Sequence, residues 1–215
     1  MEYELAKNLL ILGTGGHSKV ATEIAEIIGF KKITYLDPNN QNKSFNGYSL
    51  VNKIEDYNEY FFVAIGDNFL REKVYIDFIN SNRTANYISL IHPKACISKK
   101  SKIGKGSLIM PICIINCDVI IGRGVILNTS STIDHDCHLS DFSSIAPGVN
   151  LGGNVIIGKR TAILIGSSIK HNITIGNDVV IGGKSMVLEN IDDLSLAYGN
   201  PAKFIKKRTK TDKYL

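Results

Sequence analysis

The chain of 215 residues has no apolar run close to the roughly 20 residues needed to cross a bilayer. SLIMPICII, among its longest, is short and broken by Pro111. The opening MEYELAKNLLILG has no basic lead followed by an apolar segment and a cleavage site. Together these absences predict a cytoplasmic protein with no membrane span. There is no CxxC pair, and Cys96, Cys113, Cys117 and Cys137 match no zinc-ribbon spacing, so reduced and mostly buried thiols are expected, and no metal. No basic stripe is interleaved with aromatics, which argues against nucleic acid as a partner. Much of the net charge of +5 sits in KFIKKRTKTDKYL and reads as a solvated tail.

Apolar residues make up 44% of the chain, and they follow two different periods. Up to about residue 90, strand-like and helix-like stretches alternate. NLLILG (8–13), KKITYLD (31–37) and FFVAIGD (61–67) read as strands. HSKVATEIAEIIGF (17–30) places Val20, Ile24, Ile27 and Ile28 on one helical face and ends at Gly29. NFLREKVYIDFINSN (68–82) reads as a second amphipathic helix. The order implies a small Rossmann-like α/β domain over 1–90, with ligands beyond the carboxyl ends of its strands.

From Ile97 the period becomes six. Aliphatic residues stand at every sixth position from 97 to 187, sixteen in succession. The residue four further on is usually small or β-branched, as in Val119, Ser131, Cys137 and Val149, and Gly often follows the aliphatic one (IGKG, IGRG, IGND). Six residues is not a whole number of α-helical turns. A parallel β-helix does produce the period: each hexapeptide makes one side and one corner, three sides close a coil, and residues 18 apart stack. Residues 91–215 are therefore expected to form an all-β parallel β-helix with a short C-terminal tail. Its hexapeptide type is known as left-handed.

Together, LGTGGHSKV (12–20), YLD (35–37), VAIGDNFLREK (63–73), LIHPKACIS (90–98), LIMP (108–111), VILNTSSTIDHDC (125–137) and YGNPAK (198–203) resemble the hexapeptide-repeat sugar acyltransferases with a nucleotide-sugar-binding domain in front. The resemblance is strongest to the bacillosamine-type N-acetyltransferases and the sialic-acid O-acetyltransferase branch. It implies a homotrimer, acetyl-CoA as co-substrate in a groove between neighbouring helices, and a nucleotide sugar on the front domain. The acceptor it suggests is the amino group of a UDP-linked 4-amino sugar.

His135 lies two residues past the inward Ile133 and can project from the coil. A neutral imidazole suits removal of a proton from an attacking amine, and the resemblance makes His135 the general base. It makes Asp136 the acidic partner that fixes the tautomer and stabilises the imidazolium; Asp134, on the other flank, could do the same work. Where many relatives carry a second histidine this chain has Ser144, expected at the thioester end of acetyl-CoA. The other acetyl-CoA contacts carried over are Gly153, Ile165, Gly182 and Gly183. His138 reads as an exposed residue. GTGG is a weak phosphate motif by itself, though glycines at a helix start let backbone N–H groups reach a phosphate. For the nucleotide sugar, the resemblance implies Gly15, Gly16, His17, Asp37, Ile65 and Gly66, with Asn128 touching the sugar.

Three other readings remain at this point. O-acetylation of a sialic acid or related nonulosonate would use the same base. A γ-class carbonic anhydrase shares the β-helix and needs three zinc ligands at one point. His135 and His171, 36 residues apart, would stand two coils apart at roughly 9.6 Å, too far to share an ion within one chain. A nicotinamide-sensing front domain on an inert scaffold is the non-enzymatic reading.

Overall fold

The computed structural model describes residues 7–214; residues 1–6, which open the supposed leaderless start, and residue 215 lie outside it. The front region runs β1 (Leu9–Leu12), α1 (Gly16–Ile27), β2 (Ile33–Leu36), β3 (Ser44–Phe45), β4 (Tyr48–Val51), β5 (Tyr60–Val63), α2 (Asn68–Ser81) and β6 (Asn86–Tyr87). These strands make one sheet in the order β3-β4-β2-β1-β5-β6, parallel except for the β3–β4 hairpin. β1 is central, and all four residues of its LLIL segment are buried, as a strand covered on both sides requires.

Three details differ from the sequence reading. The β3–β4 hairpin was not expected, although Asn46-Gly47, both at positive φ, carry the short-range signal of a tight hairpin turn. In α1 the buried residues are Ser18, Ala21, Thr22, Ile24 and Ala25, while Ile27 is exposed. The helix turns its small residues inward, which permits close approach to β1 and to the first coil beyond the domain. In α2 the fully buried residues are Asn68, Arg71, Glu72 and Phe78, with Val74, Tyr75 and Ile79 partly buried against the core, so its covered side is polar at the start and apolar only further along.

From Leu90 the chain winds into a left-handed parallel β-helix. The first face stacks Leu90–Ile91, Leu108–Ile109, Ile126–Leu127, Ser144–Ile145, Ala162–Ile163 and Val180–Ile181. The second runs from Cys96–Ile97 to Met186–Val187 and the third from Lys102–Ile103 to Thr174–Ile175. Register is 18 throughout these ladders, for example Leu108↔Ile126 and Thr132↔Asn150. Of the sixteen repeat aliphatics, those from Ile109 to Val187 are buried, while Ile97 and Ile103 in the opening coil are partly covered. Each fully buried one contributes roughly 1.5–3 kcal/mol. The glycine after the aliphatic residue has a steric cause: a Cβ on Gly104 would fall 2.5 Å from the carbonyl carbon of Gly122 one coil on.

The outward residues of the first face are mostly buried too: Leu90, Leu108, Ile126, Ala162 and Val180. The front region docks on this side. α1 packs against Leu90–Ile91. α2 reaches a column of corner carbonyls: Arg71 donates Nε to Gly124 (2.9 Å) and Nη2 to Phe142 (2.8 Å), and Asn68 donates Nδ2 to Arg160 (3.0 Å). Gly124, Phe142 and Arg160 are corner residues at positive φ, 18 apart. Ionic contacts of Glu72 with Lys159 (2.5 Å) and Arg160 (2.6 Å) flank the joint. On the other two faces, by contrast, Ile114, Ile120 and Ile156 stand exposed.

Candidate active site

The carboxyl ends of β1, β2 and β5 open into a cleft of about 760 Å³ between the sheet and α2. Gly15, Gly16, His17, Asp37, Ile65 and Gly66 all line it, so six of the seven residues expected at the nucleotide sugar come together. Gly15 caps α1 without any side-chain cap, and a Cβ on Gly15 or Gly16 would meet nothing within 4 Å. The start of the helix therefore carries no side chain at Gly15 or Gly16, the bare entry that lets backbone N–H groups approach a phosphate. The Asp37 carboxylate accepts from the Thr14 hydroxyl (2.6 Å) and from the Asn39 N–H (3.0 Å), which pins the rim loops together. Thr14 was not singled out in the sequence, because its role depends on β1 and β2 ending side by side.

Asn128 lines an adjoining hollow with Gly16, His17, His92, Met110, Pro111 and Thr129. His17 borders both spaces and links them. Its Nε2 is buried with no hydrogen-bond partner among the described residues. Burial and the Arg71 charge push its pKa down to about 4, so the ring is neutral near neutral pH. His92 had no sequence signal beyond its place in LIHPKACIS.

His135 lies elsewhere, on the corner between the second and third faces. Asp136, at φ 60, makes the turn, and its Oδ2 stands 2.7 Å from His135 Nδ1. The Asp134 Oδ1 accepts the His135 backbone N–H (2.8 Å) and the Asn116 Nδ2 from one coil below (2.8 Å). The hydrogen bond that His135 makes to Asp136, then the charge of Asp134, raise the His135 pKa above its ordinary value. Both flanking acids thus act on the ring or its backbone. Asp134, His135, Gly152, Gly153, Asn154, His171 and Asn172 line a hollow of about 360 Å³.

Gly153 opens that hollow. A Cβ there would fall 2.6 Å from both Cε1 and Nε2 of His135. Gly153→Ala is expected to push the imidazole aside and lower kcat/KM about 10²-fold, as a misplacement near 1 Å does. The melting temperature should barely move, because the displaced ring is exposed. Steady-state kinetics beside a thermal melt check this.

The remaining residues expected at acetyl-CoA do not line this hollow within one chain. Ser144 is half-buried on the first face. Ile165 and Gly183 share the neighbouring corner column, with the Ile165 side chain 3.2 Å from where a Gly183 Cβ would stand. Gly182 has a packing reason of its own, since a Cβ there would meet Tyr198 Cβ at 2.6 Å. His138 is exposed on the third face. Among the described residues no group of three or more His, Cys, Asp or Glu could hold a metal ion. No helix among them is long and apolar enough to cross a membrane.

The PglD N-terminal domain family matches residues 8–78. The GDP-perosamine N-acetyltransferase of Escherichia coli O157:H7 is 28% identical over 130 residues, 58% of this chain and 58% of that protein. The UDP-N-acetylbacillosamine N-acetyltransferase of Bacillus subtilis (strain 168) is 32% identical over 118 residues, 48% of this chain and 51% of that protein. The chain thus spans little more than half the length of these two relatives. The solved acetyltransferase domain of PglB from Neisseria gonorrhoeae FA1090, in complex with acetyl coenzyme A, is 32% identical. It superposes with a TM-score of 0.86 over 92% of this chain and 98% of that one.

Proposed function

Because this chain belongs to the sugar N-acetyltransferases that join a PglD-type front domain to a left-handed β-helix, we propose that it moves an acetyl group from acetyl-CoA to the amino group of a nucleotide-linked 4-amino sugar, UDP-linked in the first instance. The nucleotide takes the front cleft, with its phosphates at the start of α1 and the sugar toward Asn128. The single observation that carries the reading is the corner hollow, where a solvent-facing imidazole is hydrogen-bonded to a carboxylate and leans over a glycine.

Asp136 is a carboxylate and only accepts, so His135 Nδ1 carries the proton and Nε2 is left as the base. The amine nitrogen attacks the acetyl carbonyl carbon, the N–C bond forms, and the amine proton passes to Nε2. The C–S bond then breaks, and the imidazolium returns the proton to the CoA thiolate. Asp136 and Asp134 stabilise the imidazolium in between.

Cleft and corner hollow share no lining residue in one chain. The second and third faces flank the His135 corner and keep Ile114, Ile120 and Ile156 exposed. A homotrimer fits both facts: each front cleft would be completed by the corner of a neighbouring copy, around a closed ring. A thiol-release assay with acetyl-CoA against a panel of UDP- and GDP-linked amino sugars tests the whole reading. Sialic acid is included as the oxygen acceptor. Release with no amino sugar in the panel sinks it.

Asp136→Asn keeps the positive-φ turn, since Asn tolerates that region. It exchanges an ionic acceptor for a neutral one. The His135 pKa, raised mainly by that hydrogen bond, is expected to fall. The acid limb of the kcat/KM profile then moves to lower pH, and the plateau drops about tenfold as the weaker base takes over. A profile whose acid limb stays in place would show that Asp136 does not set this ionisation.

A further inference from the structure

We propose that His171 is a binding residue for the pantetheine arm of CoA, its imidazole N–H donating to an amide carbonyl of that arm; the inference rests on the acetyl-transfer reading above. His135 and His171 line the same hollow. Between them lies the coil of Gly152 and Gly153, two positions without a side chain, followed by Asn154, whose Nδ2 is tied to Asn172 Oδ1 (2.8 Å). A Cβ on Gly153 would strike the His135 ring, and one on Gly152 would come within 3.1 Å of the His171 Cα. The two glycines therefore leave a notch open from one histidine toward the other.

The notch has a direction. It includes Asn154 and Asn172, on the coils above His135, and no residue from the coil of Cys117 below. A linear ligand with its reacting end at His135 would leave past His171. Successive coils are roughly 4.8 Å apart, so the two histidine positions are separated by about 10 Å along the axis. The pantetheine arm is peptide-like. Its second amide carbonyl carbon is eight bonds from the sulfur, about 9 Å at the 3.5 Å per three bonds of an extended chain. The exposed His171 makes no side-chain hydrogen bond among the described residues, so it is available to an incoming carbonyl. As a corner residue without packing duties it is also free to be changed.

The test is CoA affinity and kinetics of His171→Ala and His171→Gln. Calorimetry with CoA should show about tenfold weaker binding for His171→Ala, the worth of one neutral hydrogen bond, with part of it restored by the amide donor of His171→Gln. KM for acetyl-CoA should rise in parallel. KM for the nucleotide sugar, kcat and the melting temperature should stay put. With acetyl thioethanol, a thioester that has no amide, both variants should match the wild type. Unchanged CoA affinity in His171→Ala overturns the inference alone, as does an equal loss with acetyl thioethanol. A wild-type protein that binds no CoA overturns the acetyl-transfer reading itself.

Discussion

His135→Ala is expected to lower kcat by about 10²–10⁴-fold, the usual worth of a positioned general base, with CoA affinity unchanged. The His135 side chain is 55% exposed and the alanine leaves no cavity. Its loss should therefore leave the melting temperature close to that of the wild type. The corner itself is held by backbone and by Asp134, whose Oδ1 still accepts the N–H of residue 135 and the Asn116 amide. A dead enzyme with an unaltered melt and unaltered CoA binding thus isolates proton transfer from folding and from co-substrate binding. His135→Gln makes a sharper control, because glutamine keeps polarity at the corner but cannot take up the proton. Wild-type turnover in either variant would remove His135 from the chemistry.

The β-helix was legible in sequence because it repeats one local decision. Each coil asks for an aliphatic residue, a glycine and a small residue at fixed places, so a single period read from Ile97 to Val187 yields register, faces and corners together. The cleft was legible for a related reason: Gly15, Gly16, Asp37 and Gly66 all sit at strand ends, and a parallel sheet gathers its strand ends on one side. What could not be read was anything that depends on two distant segments meeting. The period already stacked His171 two coils beyond His135, but that the two share one hollow across Gly152 and Gly153 appeared only in the structure. Ile27 looked like core because hydrophobic spacing marks apolar faces, whereas α1 needed a face of small residues to approach closely. Arg71 was the largest omission. In an exposed helix an arginine is ordinary, and only the docked β-helix turns it into a buried one.

Arg71→Leu is expected to cost about 3–5 kcal/mol, the range for stranding buried charged-group partners. The Arg71 side chain is fully buried, and all of its nitrogens are engaged. Nη1 donates to Ile65 O (3.0 Å) and Gly66 O (2.8 Å) on the floor of the front cleft. Nη2 donates to Asn68 Oδ1 (2.7 Å), Phe142 O (2.8 Å) and Ser143 O (3.3 Å), and Nε to Gly124 O (2.9 Å). Burial lowers its pKa, but arginine starts so high that it stays charged. Leucine fills some of the volume and leaves six acceptors without this donor: five backbone carbonyls and the Asn68 Oδ1. The loss falls on the joint, since one side of the fork holds the cleft and the other holds two coils of the β-helix. Denaturant unfolding should therefore split, with the front region melting first and the β-helix later, where the wild type unfolds with the two coupled. Because Ile65 and Gly66 lose their anchor, KM for the nucleotide sugar should rise more than KM for acetyl-CoA. His17 supplies an independent readout. Its pKa is held down first by burial and then by the Arg71 charge, so removing the charge should raise it toward 6.5. A variant that unfolds in one step at wild-type denaturant, with His17 titrating as before, would show that the fork does not carry the joint.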